Sequence, residues 1–277
     1  MDILSAIILG IVQGVAEFLP ISSSGHLAIA QNLFGMEIEG SADGFFDVLL
    51  HLGTLIAVFV AYWSDIVDIV KEFFLGVRDI AKKSTPTPVP ANRRMILLLI
   101  IGTLPLFVIV PIKDYIEGLS SNTVFVGCAL LVTGVLLFFS DRHNKGKKTA
   151  SSVRLRDVLI IGIAQAFATM PGISRSGTTV SVGCFLGLDR RFALRYSFLM
   201  SIPAILGANV LNIFDCLETG IDPALIPAYI SGVITAAVLG YLSIRLLKFV
   251  TDKGKFGAFS YYCWAVGALT IILSFVL

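Results

Sequence analysis

Residues able to do chemistry on an oxyanion gather in two short stretches, 13–26 and 171–179. The second reads Pro171-Gly172-Ile173-Ser174-Arg175-Ser176-Gly177-Thr178-Thr179, one arginine among hydroxyls and glycines, with apolar runs at 159–170 and 180–188 on either side. A guanidinium binds phosphate bidentately and keeps its charge at ordinary pH; hydroxyls and freed backbone N–H groups complete an anion site. The first stretch holds Gln13, Glu17, Ser22, Ser23, Ser24, Gly25 and His26. A carboxylate and an imidazole beside hydroxyls are the parts of an activated nucleophile, and an arginine that stabilises the transferring group makes the set fit phosphoryl transfer. Gln13, one turn before Glu17, could orient substrate, a water or a cation. Each candidate also has a plainer reading: an ion pair for Arg175 and Glu17, helix capping for the serines, a satisfied core position for His26. Ser23 and His26 are both open as the nucleophile. Asp47 and His51 are weaker candidates of the same kind.

The two stretches are related. Residues 10–27 (GIVQGVAEFLPISSSGHL) align without a gap on 162–179 (GIAQAFATMPGISRSGTT), with eight identities in eighteen positions. Five of the eight are Gly, Ser or Gln rather than generic apolar residues, so the match is an internal repeat. Paired interrupted apolar segments in two halves of a membrane protein point to its binding site.

The elements that must position these groups lie in lipid. The chain of 277 residues is 56% hydrophobic and 14% charged, where soluble domains carry about 25% charge. A net charge of +2 with no basic stripe argues against a nucleic-acid partner. Cys128, Cys184, Cys216 and Cys263 are scattered without metal-like spacing and read as buried packing residues. Asp2 and the lack of a basic leader argue against a cleaved signal peptide.

Each half of 1–34 and of 158–188 is too short to cross a bilayer, which takes about 20 residues, so each segment reads as a re-entrant helix pair. Apolar runs at 45–70, 95–111, 123–139, 192–214, 224–247 and 256–277 read as six spans. The intervening loops 71–94, 141–156, 189–195 and 248–255 are all basic and fall on one face; 37–47, 113–117 and 215–222 are all acidic and fall on the other. Basic loops face the cytoplasm. The expectation is a single all-α polytopic membrane domain (1–277), repeat one about 1–140 and repeat two about 157–277 around a basic linker 141–156. The repeats have inverted topology, with two re-entrant pairs meeting at mid-membrane.

At these residues the chain resembles the undecaprenyl-pyrophosphate phosphatase family, the bacitracin-resistance membrane phosphatases. Residues 13–26 match its E/Q-x-x-x-E and FLP-x-SS-x-GH pattern, 171–179 match PG-x-SRSG-x-T, and 47–53 resemble the start of its first long span. The resemblance implies hydrolysis of undecaprenyl diphosphate to the monophosphate for cell-wall precursor recycling, at the extracytoplasmic side of the bacterial plasma membrane. It implies Glu17, Ser23 and His26 as the catalytic group and Arg175 as a phosphate-binding residue, which the chemistry above also makes a catalytic candidate. Ser174 and Thr179, joined by Ser22, Ser24, Gly25, Ser176, Gly177 and Thr178, would hold the substrate phosphates. Gln13 departs from the family pattern, standing where many members have Glu, and an amide cannot act as a base. A divalent cation, Mg²⁺ or Ca²⁺, is a candidate cofactor by the same resemblance, though no ligand cluster is evident. The partners are a lipid diphosphate and the bilayer, with a homodimer as a candidate assembly. The competing reading is a polyprenyl-phosphate flippase or transporter on the same inverted repeat.

Overall fold

The structure, a computed structural model, describes residues 2–34, 43–84, 86, 88–143, 146–219 and 223–276. Glu37, Glu39 and Asp222, and the side chains of Asp215, Cys216 and Glu218, lie outside what is described. Twelve α-helices run through the described residues: α1 (Ile3–Phe18), α2 (Ser23–Phe34), α3 (Asp43–Ala61), α4 (Trp63–Ala81), α5 (Ala91–Thr103), α6 (Lys113–Gly118), α7 (Thr123–Arg142), α8 (Leu155–Phe167), α9 (Arg175–Phe185), α10 (Arg190–Thr219), α11 (Ile226–Asp252) and α12 (Phe259–Leu273).

Among the described residues five stretches are long and apolar enough to cross a membrane: Ala91–Ser121, Thr123–Arg142, Arg190–Val210, Pro223–Asp252 and Phe256–Leu273. A sixth is the pair α3 and α4, bent by 83°. The chain is an all-α polytopic membrane protein. Between α5 and α6 the span continues as 3₁₀ turns at Leu104–Val108 and Val110–Ile112, because Pro105 and Pro111 lack the N–H groups an α-helix would use.

The stretch 45–70 is not one straight span, and 71–94 is not a loop. The chain turns sharply at Tyr62 and stays helical to Ala81. α4 exposes Phe73, Phe74, Val77 and Ile80, while Glu72 and Asp79 bond Arg93. The physical reason is that its apolar residues recur at helical spacing between charged ones, which suits a helix lying in the interface rather than one crossing it.

Side-chain contacts verify that the basic loops share a face. Arg94 donates to the carbonyl oxygens of Ser151 (2.8 Å) and Val153 (2.5 Å), joining the first turn of α5 to the loop before α8. Arg190 pairs with Asp141, and Arg195 with Asp65. Arg191 reaches Asp252 at 2.7 Å, and Lys148 reaches Asp157 at 2.7 Å. At the opposite face Asn32 donates to the Ser120 carbonyl at 2.7 Å, tying the end of α2 to the turn before α7.

The halves exchange partners: α1 packs on α11, and α8 on α5. Both contacts pass through the aligned glycines. A Cβ on Gly10 would stand 2.6 Å from the Gly232 carbonyl oxygen, and one on Gly162 would collide with that of Gly102. Small residues let helix backbones approach in lipid, where packing rather than water exclusion drives association. The repeated glycines are therefore seams. Gly10→Ala is expected to lose about 1–3 kcal/mol of stability by overpacking, read as a lower melting midpoint in detergent. Gly118→Ala, where a Cβ meets nothing within 4 Å among the described residues, should leave the midpoint unchanged.

Candidate active site

Both breaks are helix starts with the same hydrogen bonds. In the first, the Gly25 N–H donates to Ser22 Oγ at 3.2 Å; in the second, the Gly177 N–H donates to Ser174 Oγ at 3.1 Å. Ser22 and Ser24 hydroxyls lie 3.3 Å apart, and so do those of Ser174 and Ser176. Ser22 and Ser174 are thus N-caps of α2 and α9, the plainer of their two readings. Ser22 holds φ +70°, an unusual conformation for a residue with a side chain.

The breaks touch. A Cβ on Gly25 would stand 2.9 Å from Gly172 Cα, and one on Gly177 would stand 3.2 Å from Pro20 Cβ. Pro20 and Gly172 are equivalent positions of the repeat, so each break packs its glycine on the same place in the other. Helices of the opposite half brace them. Thr133 on α7 donates to the Gly172 carbonyl (3.0 Å) and accepts from the Ser174 N–H (3.1 Å). Cys263 on α12 approaches the Pro20 carbonyl with its Sγ at 3.6 Å. Cys184 is also buried, but Cys128 is exposed on α7, so not every cysteine is a packing residue.

Glu17 joins the two breaks. Its Oε2 accepts from Ser23 Oγ at 2.7 Å and from Gln13 Nε2 at 3.1 Å, and its Oε1 accepts from Arg175 Nη2. Ser23 and Arg175 occupy equivalent positions in the repeat, so one carboxylate holds the same site of both halves. The carboxylate is buried and the guanidinium partly so, an arrangement that avoids an unpaired charge at membrane depth. The ion pair is present, and the same carboxylate lies within hydrogen-bond distance of the Ser23 hydroxyl. A carboxylate that accepts the hydroxyl hydrogen of a serine has the reach that a general base needs.

His26 does not join this cluster. Its Nδ1 lies 2.8 Å from the Ser22 carbonyl and its Nε2 2.8 Å from the Tyr262 hydroxyl, with the two rings stacked. A carbonyl only accepts, so Nδ1 carries the hydrogen and Nε2 of the neutral ring accepts from Tyr262. Thr179 also turns aside: its hydroxyl donates to the Arg175 carbonyl (2.9 Å) and meets Ser197 Oγ (2.7 Å). Ser176, Gly177 and Thr178 are buried, whereas Ser24 is exposed and Ser23 and Arg175 are partly open.

His51, given little weight from sequence, stands beside the carboxylate, its Nε2 4.0 Å from Glu17 Oε2. Thr133 and Tyr262 were missed altogether. A hydroxyl inside the apolar span 123–139 was the available signal for Thr133. Tyr262 gave none, because aromatic residues are ordinary in such spans.

The residues fit a resident divalent cation poorly. No group of three His, Cys, Asp or Glu side chains that could hold a metal exists among the described residues. Glu17 already accepts from three donors, and Gln13 Oε1, a buried atom with no hydrogen-bond partner among the described residues, is a neutral ligand. Mg²⁺ and Ca²⁺ need several oxygens and favour carboxylates.

Fold and site together define a polytopic helical membrane protein whose polar centre is built from two apposed helix breaks. The family model described as bacitracin resistance protein BacA matches residues 6–269, and the chain belongs to that family. An undecaprenyl-diphosphatase of Methanosphaera stadtmanae is 44% identical over 283 residues, covering all of both chains. Those of Halothermothrix orenii and Alkaliphilus metalliredigens are 40% and 41% identical, each over 99% of both chains.

The capping role is testable by itself. Ser174→Ala should cost about 1 kcal/mol of stability, and Ser22→Ala about as much. Both should lower the melting midpoint, and Ser24→Ala, at an exposed hydroxyl, should lower it less.

Proposed function

We propose that this protein hydrolyses undecaprenyl diphosphate to undecaprenyl phosphate and inorganic phosphate, recycling the lipid carrier for cell-wall synthesis and giving bacitracin resistance. The observation that carries the reading is the Ser23–Glu17 hydrogen bond of 2.7 Å, with Arg175 on the other oxygen of the same carboxylate. The names of the full-length relatives supply the substrate.

Ser23 is the nucleophile in this proposal. Its oxygen bonds to the terminal phosphorus as the bridging P–O bond breaks, undecaprenyl phosphate leaves with the bonding pair, and the hydroxyl proton goes to Glu17. Water then attacks the phosphoserine and restores Ser23. A guanidinium has five N–H donors; Arg175 spends one on Glu17 and offers the others to the terminal phosphate, where charge builds in the transition state. The second break aids it by fixing the start of α9, so Ser174, Ser176, Thr178 and Thr179 act on the phosphate through the placement of Arg175. His26, held by Tyr262, shapes the neighbouring wall. No step is routed through a metal.

The enzyme sits in the plasma membrane with its basic face in the cytoplasm. The first break enters from the outer side, the second from the inner, within halves of about 1–140 and 157–277. The site then opens outward, along the side where α3 begins. A flippase would use the anion site but leave the Ser23–Glu17 pair without a role.

Purified protein should release phosphate from undecaprenyl diphosphate. Arg175→Lys keeps the charge but loses the planar fork, and the rate is expected to fall about 100-fold. Substrate binding without release by the unaltered protein would refute the proposal.

A further inference from the structure

The buried carboxylate poses a problem that the proposed reaction makes explicit. Forming the phosphoserine leaves the Ser23 proton on Glu17, and the second step needs Glu17 ionised again to draw a proton from water. Over the whole cycle one proton must leave. The Glu17 side chain is only 6% exposed, and its neighbours Arg175, Gln13 and Ser23 offer no basic lone pair that could carry a proton outward.

His51 does. Its Nδ1 lies 2.8 Å from the Asp47 carbonyl oxygen, which can only accept, so the hydrogen of the neutral ring is on Nδ1. Nε2, with its lone pair, is then the atom 4.0 Å from Glu17 Oε2. On the far side of the ring, Nδ1 is 3.5 Å from Asp47 Oδ2. Side-chain exposure rises along this line, from 6% at Glu17 to 29% at His51 and 43% at Asp47. The three groups form a graded path from the sealed carboxylate to water along the second and third turns of α3. The charged groups facing the ring are Glu17 from α1, Arg175 from α9 and Asp47 from its own helix. Arg175, ion-paired with Glu17, favours the ionised carboxylate, and Asp47 favours a cation on the ring, so both bias the proton away from Glu17.

We propose that His51, with Asp47, is the proton exit for Glu17, a relay residue acting through the base rather than on the substrate. In the step, Glu17 Oε2–H gives its proton to His51 Nε2 once the 4.0 Å gap closes to hydrogen-bond distance, and the imidazolium gives its Nδ1 proton to Asp47 or water. The neutral ring, left with its hydrogen on Nε2, then takes a proton from water at Nδ1 while Nε2 releases its own to water, which restores the starting tautomer. No oxidant or further reactant enters. The inference rests on the reading of Glu17 as the base that ionises Ser23.

The test is steady-state phosphate release against pH with undecaprenyl diphosphate in detergent, for His51→Gln and His51→Ala. Melting midpoints would establish that each variant is folded. Both should lose about 10- to 100-fold in kcat with KM changed less than about 2-fold, because the ring touches no substrate. The acid limb of the pH profile should flatten, and added imidazole should restore part of the rate to His51→Ala but not to His51→Gln, which leaves no cavity. A folded variant with the unaltered rate and profile overturns the relay, as does a uniform loss without imidazole rescue. Glu17→Gln separates this from the underlying reading: if that variant keeps full activity, the base assignment fails whatever His51 does.

Discussion

A carboxylate at membrane depth has to be satisfied, and Glu17 is satisfied from both halves of the molecule at once. Ser23 and Gln13 reach it from its own half, and Arg175 reaches it from the other. Because removing one member of a buried pair leaves a charge that lipid cannot solvate, this contact constrains the rest. The two breaks must meet, which forces glycines at their touching points. They must also be held there, which falls to α7 and α12, each bracing the break of the opposite half through Thr133 and Cys263.

The repeat is close to symmetric in its scaffold and asymmetric in its chemistry. The caps at Ser22 and Ser174 repeat to within 0.1 Å, 3.2 against 3.1 Å. The active groups do not repeat. Glu17 aligns with Thr169, whose hydroxyl donates to the Ala166 carbonyl at 2.7 Å. Ser23 aligns with Arg175. One repeated frame thus supplies a carboxylate and hydroxyl from one side and a cation from the other, groups of the kinds that phosphoryl transfer uses.

Much of this was legible in the sequence. The gapless match of 10–27 with 162–179 located both breaks, and loop charge sorted the basic loops onto the face where Arg94, Arg190, Arg191 and Arg195 now find partners. What stayed hidden depends on three-dimensional direction. Hydropathy cannot register the turn at Tyr62, since α4 alternates apolar and charged residues and still averages as part of a span. Equal spacing made His26 look as available as Ser23, yet a stacked tyrosine 236 residues away takes its ring. His51 looked ordinary because its distance to Glu17 is set by the packing of α3 beside α1, which no motif records.

The most direct test of the central claim is where phosphate resides in mid-reaction. The purified enzyme would be mixed with undecaprenyl diphosphate carrying a radiolabelled terminal phosphate, quenched within milliseconds, and mapped by peptide analysis. Label on Ser23, absent from Ser23→Ala and acid-stable as a phosphoserine is, agrees with the Ser23–Glu17 pair as the reacting centre. An acid-labile label on His26 would contradict it, as would turnover by Ser23→Ala at the unaltered rate.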